Sequence, residues 1–328
     1  MKPKVVLIGT GGTIASRYDV ALGRKVAGVS SSELVAMLPG VGEVADLEID
    51  NFLTISSFQM DAGTALKLTH RIGETLRRPD VAGVAITHGT DTMEESVYLA
   101  DILVDSEKPV VFTGAQRSAD EPDGDGPRNL MGAIRTAASP ASAGLGAMIC
   151  FNDELHAARD VTKTHTSAVQ TFQSHDHGKL GLIDGDRVVI DRRSLRRPHY
   201  MVERLEERVD LVKLVLGIGA RPIDGALAAG AKAIVLEAFG LGNTTAEIAQ
   251  GVKRSIDAGV PVIVTSRCPI GQVKPVYGGG GGGRDLKDMG AIYAGDLAGV
   301  KARMLLMVLL ADGPSMAELG RRIEAAIG

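Results

Sequence analysis

Short apolar runs that do not alternate with polar residues constrain this chain more than any other feature. "VAGVAIT" at 81–87 is apolar almost throughout, as are "KVVLIG" at 4–9, "PVVFTG" at 109–114 and "LGAMIC" at 145–150. A strand with one wet face shows period-two alternation, whereas a strand apolar at every position has both faces covered. Amphipathic stretches separate these runs: "SSELVAML" (31–38), "DAGTALKLTHRIGETLRR" (61–78, ended by Pro79), 92–105 and 128–138. With "LEIDNFLTI" (47–55) as a further strand, the rhythm predicts βαβ units in a parallel sheet with right-handed crossovers. Ser30 with Glu33 and Thr92 with Glu95 are spaced as capping boxes at two of the helix starts.

Between about 187 and 210 the rhythm fails. "DRRSLRRPHYMVERLEERVD" is dense in charge and carries Pro198, which suits a solvated linker, with a surface helix at 201–208 as the other reading. Strands then recur at 212–218, 233–239 and 261–266. Helices are expected at 222–230, 245–258 (capped by Thr244 and Glu247), near 299–311, and at 316–326 (capped by Ser315 and Glu318). The expected partition is an α/β catalytic domain over 1–190, a linker over 191–210 and a smaller α/β domain over 211–328. The run Gly278 to Gly283 holds six consecutive glycines, read either as a loose surface loop or as backbone that must approach a ligand or a neighbouring chain closely.

Composition excludes several classes. The 328 residues carry a net charge of −4, from 36 basic and 40 acidic side chains, so no basic field points to nucleic acid. No apolar run approaches the ~20 residues that span a bilayer. "MKPKVVLIGTGGT" reads as a first buried strand and not as a signal peptide. Cys150 and Cys268, each in an apolar setting, read as two buried free thiols, which fits a reducing cytoplasm; a disulfide between them is the alternative.

Candidate chemistry gathers at strand ends. In open α/β sheets the carboxyl ends of strands hold the ligand. Here they present Thr10 and Thr13, Ser56 and Ser57, Thr90 and Asp91, and Gly114-Ala115-Gln116-Arg117. The turn "GTGGTIA" (9–15) lacks the sixth-position glycine or alanine and the well-placed acid of a dinucleotide fold, and no Gly-Lys-Ser/Thr marks a P-loop. Lys163 lies in the polar stretch "ARDVTKTHT" (158–166), where burial beside a hydroxyl and an acid would make it a base. His165, His175 and His177 have no second cluster at ligand spacing and read as surface or interface histidines, so no metal is expected.

"TGGTIAS" (10–16), "THGTDTMEE" (87–95) and "ARDVTKT" (158–164) together resemble the bacterial L-asparaginase family, and "GLGN" (240–243) with "LAGVKARMLL" (297–306) extends the resemblance over the second half. The resemblance implies a large doubly wound N-terminal sheet domain and a smaller flavodoxin-like C-terminal one. It also implies homodimers or homotetramers, and hydrolysis of asparagine, often glutamine too, without metal or cofactor. Matched by motif, Thr13 is the nucleophile, and Thr90, Asp91 and Lys163 form a second catalytic group, with Asp91 also taking the substrate amino group. By the same resemblance Ser57 is expected to bind the α-carboxylate, the Ala115 carbonyl to contact the side-chain amide, and Asn243 to reach a neighbouring subunit's site. An amide also needs donors for its oxyanion, and the Gly11-Gly12 turn and Gly89 are the expected N–H sources.

Three positions depart from the family pattern. Phe58 stands where many members have a polar glutamine, and a glutamate position falls in the glycine run near Gly278. No tyrosine matches cleanly the one that assists catalysis; Tyr18 is the candidate, with Tyr277 second. Two other readings remain: a broader glutaminase-asparaginase or tRNA-amidotransferase relative, and an amino-acid sensor without turnover.

Overall fold

In the computed structural model, which describes residues 2–19 and 22–327, eight strands of the first half form one main sheet, parallel from β4 across to β7. The chain divides into two compact units, Met1–His199 and Tyr200–Gly328. In the first unit the strands are β1 (Lys4–Gly11), β2 (Ser16–Asp19), β3 (Arg24–Ala27), β4 (Asp46–Ile55), β5 (Val81–Thr87), β6 (Val110–Thr113), β7 (Ala147–Phe151), β8 (Glu154–Ala157), β9 (Thr162–Lys163), β10 (Phe172–Gln173), β11 (Gly181–Asp184) and β12 (Arg187–Ile190). Its helices are α1 (Ser31–Ala36), α2 (Val41–Val44), α3 (Ala62–Leu76), α4 (Met93–Leu103) and α5 (Gly126–Ala138).

The main sheet runs β12-β11-β8-β7-β6-β5-β1-β4. Alternate residues of the central strands feed two cores. Val5, Leu7, Ala85 and Val111 pack with Leu130, Ala133 and Ile134 of α5 and Leu34 of α1. Val6, Ile8, Val84, Ile86 and Phe112 pack with Leu68 and Ile72 of α3 and Val97 of α4. Two covered faces explain why these strands read as unbroken apolar runs.

β4 lies on one side of β1 and β5 on the other, so the connection order reverses at β1. Such a switch point opens a crevice between neighbouring strand ends. Here it lies at the ends of β1 and β5, whose following loops carry Thr13 and Thr90.

Several expectations need correction. The sheet is not parallel throughout: β7–β8, β8–β11 and β11–β12 pair antiparallel. The hairpin β2–β3 and the ribbon β9–β10 have no counterpart in the sequence pattern, and no helix forms at 201–208. The charged stretch after β12 is not simply solvated. Arg197 reaches the buried Asp101 carboxylate at 3.2 Å, and Arg192 lies 3.3 Å from the buried Asp160. Ser30 and Glu33 form the expected capping box, but the Thr92 hydroxyl makes no cap bond.

The second unit holds a parallel sheet, β13 (Val209–Lys213), β14 (Ala233–Ala238), β15 (Val262–Ser266) and β16 (Ile292–Tyr293), in that spatial order. Its helices are α6 (Arg221–Ala228), α7 (Ala246–Asp257), α8 (Gly283–Asp288), α9 (Gly299–Leu309) and α10 (Met316–Ile327). Thr245, not Thr244, caps α7 by accepting the Ile248 N–H, while the Glu247 carboxylate accepts the Ala220 N–H. The glycine run is packed in its second half, where Gly281 to Gly283 are buried, and exposed at Gly278 to Gly280. A Cβ on Gly281 would stand 2.5 Å from the Thr245 carbonyl carbon, and the Gly280 and Gly282 N–H groups both donate to Asp285 Oδ2. Close approach to backbone of the same chain accounts for Gly281 and Gly282, and a positive φ for Gly279 and Gly280.

Both cysteines are free. Cys150 is buried, which pushes its thiol up to about 12. Cys268 is exposed in the loop leaving β15, which corrects the expectation of two buried thiols. No helix among the described residues is long and apolar enough to cross a membrane.

Candidate active site

Two glycine-bearing loops touch at the switch point. The chain leaves β1 through Gly11 and Gly12, both at positive φ (98° and 85°), then makes a single 3₁₀ turn over Thr13–Ala15. A Cβ on Gly12 would lie 2.5 Å from the Gly89 nitrogen, so only glycine fits there. Thr13 and Thr90 are each the next residue along from that contact. The Thr10 hydroxyl donates to the Thr87 carbonyl at 2.8 Å and ties the same strand ends together.

A third loop closes one side. A Cβ on Gly89 would stand 2.4 Å from Ser57 Oγ. Ser57 is buried; its Oγ accepts the Asp91 N–H at 3.2 Å, and its carbonyl accepts the Thr92 hydroxyl at 2.9 Å. That is why Thr92 does not cap α4: its hydroxyl is committed to the neighbouring loop. A fourth loop follows β6. Asp125 accepts the Gln116 and Arg117 N–H groups, and Asn129 Nδ2 donates to the Gly114 carbonyl at 3.0 Å, so the turn around buried Ala115 is held on both sides. Ile14 and Ala115 both lie against Gly126, where a Cβ would come within 2.9 Å of Ile14 Cγ1 and 3.5 Å of Ala115 Cβ.

Lys163 arrives from β9. Its Nζ donates to Thr90 Oγ1 at 2.8 Å and to Asp91 Oδ1 at 2.7 Å. The lysine side chain is 15% exposed, whereas Asp91 is 55% exposed, so the cation is sheltered and the carboxylate faces outward. Thr90 Oγ1 in turn donates to Gln116 Oε1 at 3.1 Å. Gln116 Nε2 donates to the carbonyls of Ala168 (3.2 Å) and His165 (3.4 Å), which fixes the amide orientation and leaves its oxygen for the threonine.

Thr13, Ser57, Thr90, Asp91 and Ala115 are thus carried on adjoining loops, and Lys163 joins Thr90 and Asp91 from β9. The outlying candidates are different. Tyr18 stands on β2, 53% exposed, with its amide bonded to Asp120 Oδ2 at 2.9 Å. Asn243 and Tyr277 lie in the second unit, where Asn243 Oδ1 accepts the Gly283 N–H at 3.0 Å. The Gly12 N–H donates to the Ile55 carbonyl at 2.9 Å, so it is not a free oxyanion donor as expected. Sequence marks Gln116 only as part of a polar strand end, and Glu94 only as one letter of a motif with no role of its own. Glu94 accepts the Thr162 hydroxyl and the Lys163 N–H. Among the described residues no three His, Cys, Asp or Glu side chains form a metal-binding group.

His88 underlies the site. Its ring is fully buried, packs on Phe112 at 5.9 Å between centroids, and its Nδ1 donates to the Gly89 carbonyl at 2.8 Å. Burial pushes its pKa down to about 4, with the Gly89 bond opposing. A depressed folded-state pKa means full stability above the unfolded value near 6.5, lost as pH falls toward 4. The loss due to His88 is about 3 kcal/mol by pH 4. His88→Gln should therefore show a smaller fall in urea midpoint between pH 7 and pH 4.5 than the parent, with buried His156 keeping its own share. Equal falls in both proteins would rule this out.

Comparison with known proteins gives the same result for both units. Residues 4–196 match the family described as "Asparaginase, N-terminal", and residues 208–322 match "Glutaminase/Asparaginase C-terminal domain". The L-asparaginase of Bacillus licheniformis is 34% identical over 312 residues, covering 95% of this chain and 97% of that one. A probable L-asparaginase of Deinococcus radiodurans is 36% identical, covering 97% and 96%. A glutamyl-tRNA(Gln) amidotransferase subunit of Pyrococcus abyssi is 34% identical, covering 97% of this chain and 74% of its own length. The crystal structure of a probable cytoplasmic L-asparaginase from Campylobacter jejuni matches with a TM-score of 0.88 at 29% identity, covering 98% of this chain and 99% of that one. Matched in order over both units and along nearly its whole length, the chain belongs to the asparaginase family.

Proposed function

We infer that this protein hydrolyses L-asparagine to L-aspartate and ammonia, with Thr13 as nucleophile and Thr90, Lys163 and Asp91 as the group that moves protons and positions water. The observation that carries this reading is the Lys163 Nζ contact with both Thr90 Oγ1 (2.8 Å) and Asp91 Oδ1 (2.7 Å), beside the loop that bears Thr13. A threonine hydroxyl is a weak nucleophile until a base takes its proton. As the Thr13 oxygen bonds to the amide carbon, its proton passes to the base and the carbonyl electron pair moves onto oxygen. Collapse breaks the C–N bond, and ammonia leaves with a returned proton. Water then attacks the ester, releasing aspartate and regenerating the hydroxyl.

The remaining candidates supply recognition. Asp91 holds Lys163 with one oxygen and offers the other to the substrate ammonium. Ser57 Oγ accepts from Asp91 N–H, which leaves its own proton for the α-carboxylate. The pinned Ala115 carbonyl meets the side-chain amide, Tyr18 on the hairpin assists, and Asn243 serves the site of a neighbouring subunit in a homodimer or homotetramer. No cofactor takes part. A cytoplasmic location fits the likeness to the Campylobacter protein, although a probable periplasmic L-asparaginase of Haemophilus influenzae is 35% identical as well.

A glutaminase reading is favoured by the match of residues 208–322 to the glutaminase/asparaginase C-terminal family, beside the 34% identity to an amidotransferase subunit. One extra methylene in a pocket is worth roughly 10- to 200-fold in kcat/KM. Ammonia release should favour asparagine over glutamine by at least ~10-fold. Glutamine preference would move the assignment to the broader enzyme, and no ammonia from either amide would leave only a binding protein.

A further inference from the structure

β9 is two residues long and among the described residues pairs with β10 alone, so the main sheet does not fix the strand that carries Lys163. Besides its pairing with β10, it is held by a side chain from the helix that follows Thr90 and Asp91. Glu94 lies in the first turn of α4, three residues after Asp91, and its two carboxylate oxygens engage both residues of β9. Oε2 accepts the Thr162 hydroxyl at 2.8 Å, and Oε1 accepts the Lys163 N–H at 3.2 Å. Both ends of the Lys163–Thr90 hydrogen bond are therefore referenced to the start of one helix. A lysine reaching out on a four-carbon stem has many rotamers, so its placement depends on where its backbone is anchored.

We propose that Glu94 is a positioning residue that sets the Lys163 ammonium against Thr90 and Asp91 by clamping β9 through the Thr162 hydroxyl and the Lys163 amide. The proposal rests on the catalytic role inferred above for Lys163. Glu94 has no part in binding substrate, so its loss should act on turnover and not on affinity. A misplacement of about 1 Å at a catalytic group costs as much as 10²-fold.

The test is a set of single and double variants followed by steady-state asparagine hydrolysis. Glu94→Ala should lower kcat by about 10- to 100-fold with KM within about twofold of the parent. Glu94→Gln keeps an oxygen for the Lys163 N–H and an amide nitrogen that can donate to the Thr162 oxygen, so it should recover most of the loss. In a Lys163→Met background Glu94→Ala should add almost nothing, because the group it positions is gone. A merely structural role for Glu94 would instead lower activity equally in both backgrounds, and that result overturns the proposal. So would unchanged kcat in Glu94→Ala, or a loss in Glu94→Gln equal to that in Glu94→Ala. If Glu94→Ala does not fold, Thr162→Val serves, since it removes one arm of the clamp and preserves side-chain shape. A several-fold fall in kcat that vanishes in the Lys163→Met background supports the clamp, and no fall refutes it. Lys163→Met alone separates the two levels of inference: full activity there removes the catalytic reading itself, whereas an inactive Lys163→Met with a fully active Glu94→Ala removes only the clamp.

Discussion

Thr13→Ala should stop ammonia release from asparagine while the unfolding transition stays where it was. The loss expected is at least ~10³-fold in kcat, the size seen when a covalent nucleophile is removed and only binding and oxyanion contacts remain. The fold should survive because the turn is held by its backbone and by other side chains. The Gly12 N–H donates to Ile55 at 2.9 Å, the Ala15 N–H to the Gly12 carbonyl at 3.1 Å, and the Ser16 hydroxyl to the same carbonyl at 2.9 Å. Alanine fits the backbone of a 3₁₀ turn without strain. Thr13→Ser, which keeps the hydroxyl, should retain measurable turnover and so separate loss of the oxygen from loss of the methyl group. Undiminished turnover by Thr13→Ala would place the nucleophile elsewhere.

How far the sequence reveals this arrangement depends on burial. The central strands are legible because α-helices cover both faces of β1, β5 and β6, and covered strands are apolar at every position. The antiparallel edge is not. β8, β11 and β12 are four residues each and lie among charged residues, too short for a period of two to stand out. The Thr92–Glu95 spacing predicts a capping box, yet tertiary context wins, because Ser57 offers the Thr92 hydroxyl a carbonyl from another loop. Thr245 takes the cap from Thr244, a shift of one residue that pattern alone does not resolve.

For the site, strand ends identify Thr13, Ser57, Thr90 and Asp91 by position, since the carboxyl edge of a sheet is where loops converge. Lys163 is only a polar lysine until its motif is matched. Gln116 is marked only as part of a polar strand end and Glu94 only as a letter of a motif, because their contacts cross 26 and 68 residues of sequence and nothing local shows their roles. The only hint is Glu94 itself, an acid in the first turn of a helix that the Thr92–Glu95 box already supplies with its expected acid.

Lys163→Met and Thr90→Val should each lower kcat by about 10²-fold or more, as expected when an acid–base group is lost. Lys163→Met leaves Thr90 Oγ1 without its donor and Asp91 without its cation. Asp91 is 55% exposed, so water replaces the ammonium and the cost in stability should stay below about 1 kcal/mol. Thr90 is 4% exposed, and valine there preserves shape while leaving the Gln116 oxygen without its partner. Because the two groups are joined by a 2.8 Å hydrogen bond, they should act as a unit. The double variant Thr90→Val/Lys163→Met should then be about as slow as the worse single variant, and the losses should not multiply. Multiplying losses would mean that threonine and lysine serve separate steps. A single variant with near-parental kcat would show that the Thr90–Lys163 contact is structural, and the proton would have to travel by another route.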